Sequence, residues 1–174
     1  MMPSRSRIVA TGSVLCAVGL LLGYIESFIV IPVRIPGIRI GIANIITVMT
    51  VFCFGPAFSV TVLFLRVSLS ALLFGSPVSF VYSLLGGMSA LAVMYLFKKL
   101  GFTVFGVSVA GATAHNIAQL LAAMVLIGSR YILYYIPALT LAGVVAGIIT
   151  GGIARVVISR LDVYFDHKES RESI

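Results

Sequence analysis

Acidic residues are almost missing from this chain. Only five of its 174 residues are Asp or Glu. Four of them, Asp162, Asp166, Glu169 and Glu172, fall near the C-terminus, which leaves Glu26 as the one acid inside an apolar segment. Without an acidic cluster the chain has no group of carboxylates to hold Mg²⁺ on a diphosphate. It has no G-x-x-x-x-G-K-[ST] loop, so it does not hydrolyse ATP by itself. The two cysteines, Cys16 and Cys53, both lie in apolar segments and belong to no C-x-x-C or Cys/His pattern. They read as buried packing residues and not as metal ligands. No activated-serine arrangement is present either. Catalysis by this chain alone is not expected, and neither a metal nor a cofactor of its own is implied.

What the chain has instead is apolar sequence. Hydrophobic residues make up 60% of it, charged residues 10%, and the mean hydropathy is +1.18. Those values describe an integral membrane protein with no length to spare for a soluble domain. A span needs about 17–25 apolar residues to cross a hydrocarbon core roughly 30 Å thick, so the chain has room for about six. The net charge of +7 would suggest nucleic acid in a soluble protein. Here the cations lie mostly at the ends of apolar segments, where the positive-inside rule accounts for them, and a nucleic-acid partner is not expected. The N-terminal stretch resembles a signal peptide, but Leu15 precedes Cys16 and no A-x-A follows before Glu26. It reads as the first transmembrane helix and not as a cleaved leader.

Proline, glycine and charge punctuate the chain. They predict one all-α transmembrane domain over 1–160, with helices at about 8–31, 40–54, 57–74, 78–97, 102–127 and 137–158, followed by a charged cytoplasmic tail at 161–174. Placing both termini in the cytoplasm puts Arg5, Arg7, Lys98, Lys99, Arg155, Arg160, Lys168 and Arg171 inside. Only Arg34, Arg39 and Arg130 then remain outside, which satisfies the positive-inside rule. The outer arginines either snorkel at helix ends or serve a ligand.

Several polar residues conflict with an apolar setting. Arg66 stands midway through VTVLFLRVSLSALLF. An arginine at the bilayer centre costs on the order of 2.5–3.5 kcal/mol on insertion scales, so it faces the protein interior. It either pairs with Glu26 or meets an anionic ligand, with Arg39 or Arg34 at the outer mouth. Asn44, at the outer end of the second helix, serves either a helix–helix hydrogen bond or a ligand. His115, Asn116 and Gln119 crowd into AHNIAQ. His115 and Gln119 share a helix face, and Asn116 is offset from His115 by about 100°. The trio reads as the lining of a cavity. Tyr82 is expected to pack.

Small residues recur at spacing four in two helices. Gly106, Ala110, Ala114, Ala118 and Ala122 suggest one close-packing stripe, and Gly143, Gly147 and Gly151 another. Helix 1 carries Gly12/Cys16 and Ser13/Ala17 at the same spacing.

The segments RIGIANIITVM (39–49), LRVSLSALLFGSPVSFVYSLLGG (65–87) and VSVAGATAHNIAQLLAA (107–123) resemble the Gx transporter family, whose members are often labelled heptaprenyl diphosphate synthase component I. The likeness spans about residues 8–158. That family is similar in size and helix number to the substrate-binding S-components of energy-coupling factor (ECF) transporters. The resemblance implies a six-helix bundle in the cytoplasmic membrane of a prokaryote that captures a small molecule near its outer face. The charge pattern orients it N-in and C-in, the arginines favour an anionic molecule, and by the reading of the residues above Asn44, Arg66, His115, Asn116, Gln119 and Arg39 would line the site. Helix 1 would dock onto a transmembrane coupling protein carrying two ATPases, which consume the ATP, with Ser13 and Ala17 as the docking surface, although a literal Ala-x-x-x-Ala is not present. The synthase label implies an alternative partner, a soluble prenyl diphosphate synthase subunit to which this chain would be a non-catalytic accessory.

Overall fold

The computed structural model describes residues 5–28 and 41–172. Arg34, Arg39 and the expected Pro32–Gly37 loop lie outside the described residues. The described chain is all-α: α1 (Arg5–Ser27), α2 (Asn44–Cys53), α3 (Pro56–Phe74), α4 (Pro77–Lys99), α5 (Val104–Ile127), a 3₁₀ turn (Arg130–Tyr135) and α6 (Ile136–Glu172). Helices are the natural outcome for such sequence, since lipid offers no partners to backbone N–H and C=O groups. The breaks fall where the chemistry demands them. Pro56 and Pro77 open α3 and α4 at the first turn, where a missing N–H costs nothing. Ser76 caps α4 by accepting from the Ser79 N–H at 3.1 Å. Gly128 ends α5 in the left-handed conformation at φ 70°.

Five helical segments are long and apolar enough to cross a membrane: Val9–Glu26, Pro56–Phe74, Pro77–Lys99, Val104–Ile127 and Arg130–Arg160. The expected span at 40–54 is not among them. Its helix, α2, has 10 residues and is about 15 Å long, half the hydrocarbon thickness. Protein surrounds most of it, and its buried side chains include Asn44, Thr47 and Thr50 among the apolar ones. Every residue from Asn44 to Val51 is buried, and α2 touches every other α-helix. The main hydrophobic core forms about it, from Ile45, Val48 and Val51 against Leu63, Leu91, Met94 and Val107. At the other extreme, α6 has 37 residues, about 55 Å by the helical rise. It continues as helix through most of the segment expected to be a tail.

A row of neighbours, α1–α3–α4–α5–α6, wraps around α2, with α1 and α6 not in contact among the described residues. At one end the rings of Phe54 and Phe58 stack at 4.5 Å, and the Arg155 guanidinium lies 5.7 Å from the centre of the Phe105 ring. Lys98 is there too, donating to the Val51 carbonyl at 2.6 Å and the Phe52 carbonyl at 3.4 Å. At the opposite end Tyr24 meets Phe74, ring centres 5.4 Å apart. The start of α1 and the latter half of α6 thus share the end that holds Lys98 and Arg155, whereas Arg130 lies at the other, the partition the charge pattern anticipates.

Lys98 closes a vulnerable point, because the last carbonyls of a short buried helix have no partner in the helix itself. Its ammonium also complements the negative end of the α2 dipole. Lys98→Met keeps most of the stem and removes the donor. We expect a loss of about 1.5–3 kcal/mol, read as a lower thermal midpoint of the detergent-purified protein.

The glycines of α6 form the tightest helix contact. A Cβ on Gly143 would stand 2.9 Å from the Thr113 Cα, and one on Gly147 would stand 2.5 Å from the Val109 Cα. The partner face of α5 is therefore Phe105, Val109 and Thr113. This corrects the expectation for the small-residue stripe of α5. Gly106, Ala110, Ala114 and Ala118 are only half-buried, with Ala122 alone buried. The residues continuing that side of the helix, Leu121 and Val125, are exposed, so most of the stripe borders the outer surface of the bundle. Tyr82 packs as expected, in a second cluster with Leu120, Ala123, Ile132 and Leu139.

Candidate functional site

The polar residues converge at the end of the bundle opposite Lys98. There a partly open cavity of about 30 Å³ lies between the helices, room for on the order of two water molecules. From α1 it is lined by Gly19, Gly23 and Glu26, and from the approach to α2 by Gly41, Ala43 and Asn44. Arg66, Val67 and Ser70 of α3, Ser83 of α4 and His115 of α5 complete the wall. Five helices thus contribute side chains to one small polar space inside an apolar bundle.

Glycines make that convergence possible. A Cβ on Gly19 would stand 2.6 Å from the Arg66 Cδ, so α1 carries no side chain where the arginine stem crosses it. On α4, a Cβ on Gly86 would lie 2.9 Å from the His115 imidazole and from the Gln119 Cγ. Gly86 is thus the pad that admits His115 and Gln119. We expect Gly86→Ala to cost about 1–3 kcal/mol of stability and to displace His115 from the cavity wall. Loss of the His115 cavity resonance in NMR spectra of a ¹⁵N-histidine-labelled protein would report that displacement.

Charge is concentrated here. Glu26 is 4% exposed and Arg66 8%, and both border the same space. The Glu26 carboxylate accepts a hydrogen bond from the backbone N–H of Gly41, which joins the last turn of α1 to the entrance of α2. Gly41 has φ +91°, a conformation that glycine adopts without strain. The first N–H groups of α2 are engaged in a tight turn, with Asn44 donating to the Gly41 carbonyl at 2.8 Å and Ile45 to the Ile42 carbonyl at 3.1 Å. The Asn44 side chain therefore does not serve as a cap. Among the described residues its Nδ2 and the Ser83 Oγ have no hydrogen-bond partner. A buried donor left unmet costs about 1–3 kcal/mol, which a bound solute or water in the cavity would offset.

Of the residues singled out from sequence, Asn44, Arg66 and His115 line the cavity. Gln119 is fully buried beside His115 at the Gly86 pad but is not part of the wall. Asn116 turns the other way, donating through Nδ2 to the Leu139 carbonyl of α6 at 3.0 Å. Its offset from His115 sends it to the α5–α6 contact. Ser13 and Ala17 are exposed on α1, toward the Lys98 end. The serines of the wall, Ser70 and Ser83, and the glycine pads escape sequence reasoning. Neither residue type stands out in a transmembrane helix, and only the facing side chains reveal the role.

A family model for heptaprenyl diphosphate synthase component I matches residues 15–157. The chain belongs to that family. No curated relative matches the sequence. Among solved structures, one reporting the structure and mechanism of the S component of a bacterial ECF transporter aligns with this component I chain at a TM-score of 0.70. The alignment covers 93% of this chain and 99% of the other at 20% identity. At that identity the likeness establishes a shared fold, that of an S component. The matched family segment takes in the cavity residues from Gly19 to His115.

Proposed function

We propose that this component I chain is the substrate-capturing membrane component of an ECF-type uptake transporter, taking a small molecule that carries an anionic group. The observation behind this reading is the polar cavity itself: Arg66, Asn44, Ser83 and His115 line one small space on the fold of an S component. Those groups offer a cation and several hydrogen-bond donors, the complement of a carboxylate or phosphate. Arg39 would stand near the mouth. The charge partition supports an orientation with Lys98 and Arg155 in the cytoplasm of a prokaryotic cell and the cavity toward the outer face. Energy would come from two ATPases on a separate coupling protein, docked along α1 near Ser13 and Ala17. This chain itself performs no catalysis.

The family's description favours one other reading, a non-catalytic membrane subunit of heptaprenyl diphosphate or menaquinone synthesis. Affinity purification of the tagged full chain from its own membranes separates the two. Recovery of a transmembrane coupling protein with two ATPases supports transport. Recovery of a soluble prenyl diphosphate synthase, with synthase activity that depends on this chain, supports the accessory role and sinks the first reading.

A further inference from the structure

The anion-binding side of the cavity is only half of its chemistry. Glu26 borders the same space as Arg66 and is equally removed from water. Among the described residues of the wall, these two buried charges of opposite sign cancel when His115, the other titratable side chain there, is neutral. A simple anion taken up by Arg66 would leave the site with one net negative charge and would draw Arg66 away from balancing Glu26. An uncompensated charge in so dry a space is strongly disfavoured. A solute bearing one group of each sign avoids this, since the wall and the ligand are then each neutral. If Glu26 and Arg66 face each other in the empty cavity, such a solute replaces one ion pair by two.

We propose that the ligand of this cavity is a compact zwitterion. Its negative group meets Arg66 and the amide of Asn44, and its ammonium-type group meets Glu26. Compactness follows from the walls: side chains from five helices converge on the space, and α1 comes so close at Gly19 that a Cβ there would stand 2.6 Å from the Arg66 Cδ. The inference rests on the capture function proposed above and narrows its substrate class from anions to net-neutral molecules of two charges. Glu26 has a structural duty as well, the hydrogen bond from Gly41. A carboxylate has acceptor sites enough for that N–H and for an ammonium group together. Ligand binding would thereby be felt at the junction of α1 and α2.

Paired probes test it on the full chain in detergent or nanodiscs. 4-Aminobutyrate is compared with butyrate, β-alanine with propionate, and taurine with ethanesulfonate. Both members of each pair are titrated in the same buffer at about pH 8, so that whatever charge the wall carries is common to the two arms. The aminated member of at least one pair is expected to bind about tenfold or more tightly than its partner, the scale of one charge-assisted contact. Glu26→Gln should bring that ratio near one, Glu26→Asp should retain it, and Arg66→Gln should weaken both members. Equal binding within every pair by the wild-type protein overturns the zwitterion inference and, if Arg66→Gln still weakens both, leaves the capture function standing. Binding of no probe from any pair overturns both. The wild-type ratio decides the matter even where Glu26→Gln does not fold.

Discussion

Replacing Arg66 by Ala is expected to abolish ligand capture and to lower stability by about 3–5 kcal/mol, the range for removing one partner of a buried charge pair. The residue is buried near the middle of a span, and Glu26 borders the same cavity. Taking the cation away leaves the carboxylate with hydrogen-bond donors in the wall but no positive charge from Arg66 to balance it. The double variant Arg66→Gln with Glu26→Gln removes both charges and should be less damaged than Arg66→Ala alone, although equally unable to bind. Thermal unfolding of the three proteins in one detergent checks the order. An Arg66→Ala protein as stable as the wild type would mean that Arg66 reaches water and that its burial has been misjudged.

Much of this is legible in the sequence, for physical reasons that also explain the remainder. A charge in an apolar run has nowhere to go but inward, so Arg66 marked the interior without help from neighbours. His115 followed from crowding: several polar side chains within a short stretch of α5 are unlike a lipid-facing helix. The resolution of the trio needed the bundle, however. His115 and Asn116 are adjacent in sequence and point to different neighbours, one to the cavity and one to the Leu139 carbonyl. Sequence spacing gives the angle between them but not what waits at each angle.

The small-residue stripes teach the same lesson from the opposite side. Periodic glycine and alanine say that a helix can be approached closely, not that it is. On α6 the row is filled by the backbone of α5. On α5 the corresponding row stays half-buried, because α5 offers α6 the bulkier Phe105, Val109 and Thr113. The length of α2 was hidden for a related reason. A helix buried by protein and a helix bathed in lipid are both largely apolar in composition, so the run at 40–54 looked like a span.

The α5–α6 contact yields the second large effect. Gly147→Leu is expected to destabilise the protein by about 3 kcal/mol or more, beyond ordinary overpacking. The added Cβ would stand 2.5 Å from the Val109 Cα and 2.9 Å from the Val109 nitrogen. Those atoms are backbone and cannot rotate aside, so the helices must part. Separation also breaks the hydroxyl contact of Ser108 with Thr150, 2.8 Å long and fully buried. Gly152, one position along, faces the edge of the Phe105 ring at 3.6 Å and should accept Ala with little change. Expression level and thermal midpoint of the two variants give the comparison. A stable Gly147→Leu protein would show that α5 and α6 do not meet in this register.

The central claim is that the cavity around Arg66 holds a small molecule. Native mass spectrometry of the full chain, purified from its own membranes under mild detergent, tests it most directly. The wild-type protein is expected to carry a small non-lipid adduct that is absent from the Arg66→Ala protein prepared in parallel. A wild-type protein with no such adduct, or an adduct that persists undiminished in Arg66→Ala, would contradict it.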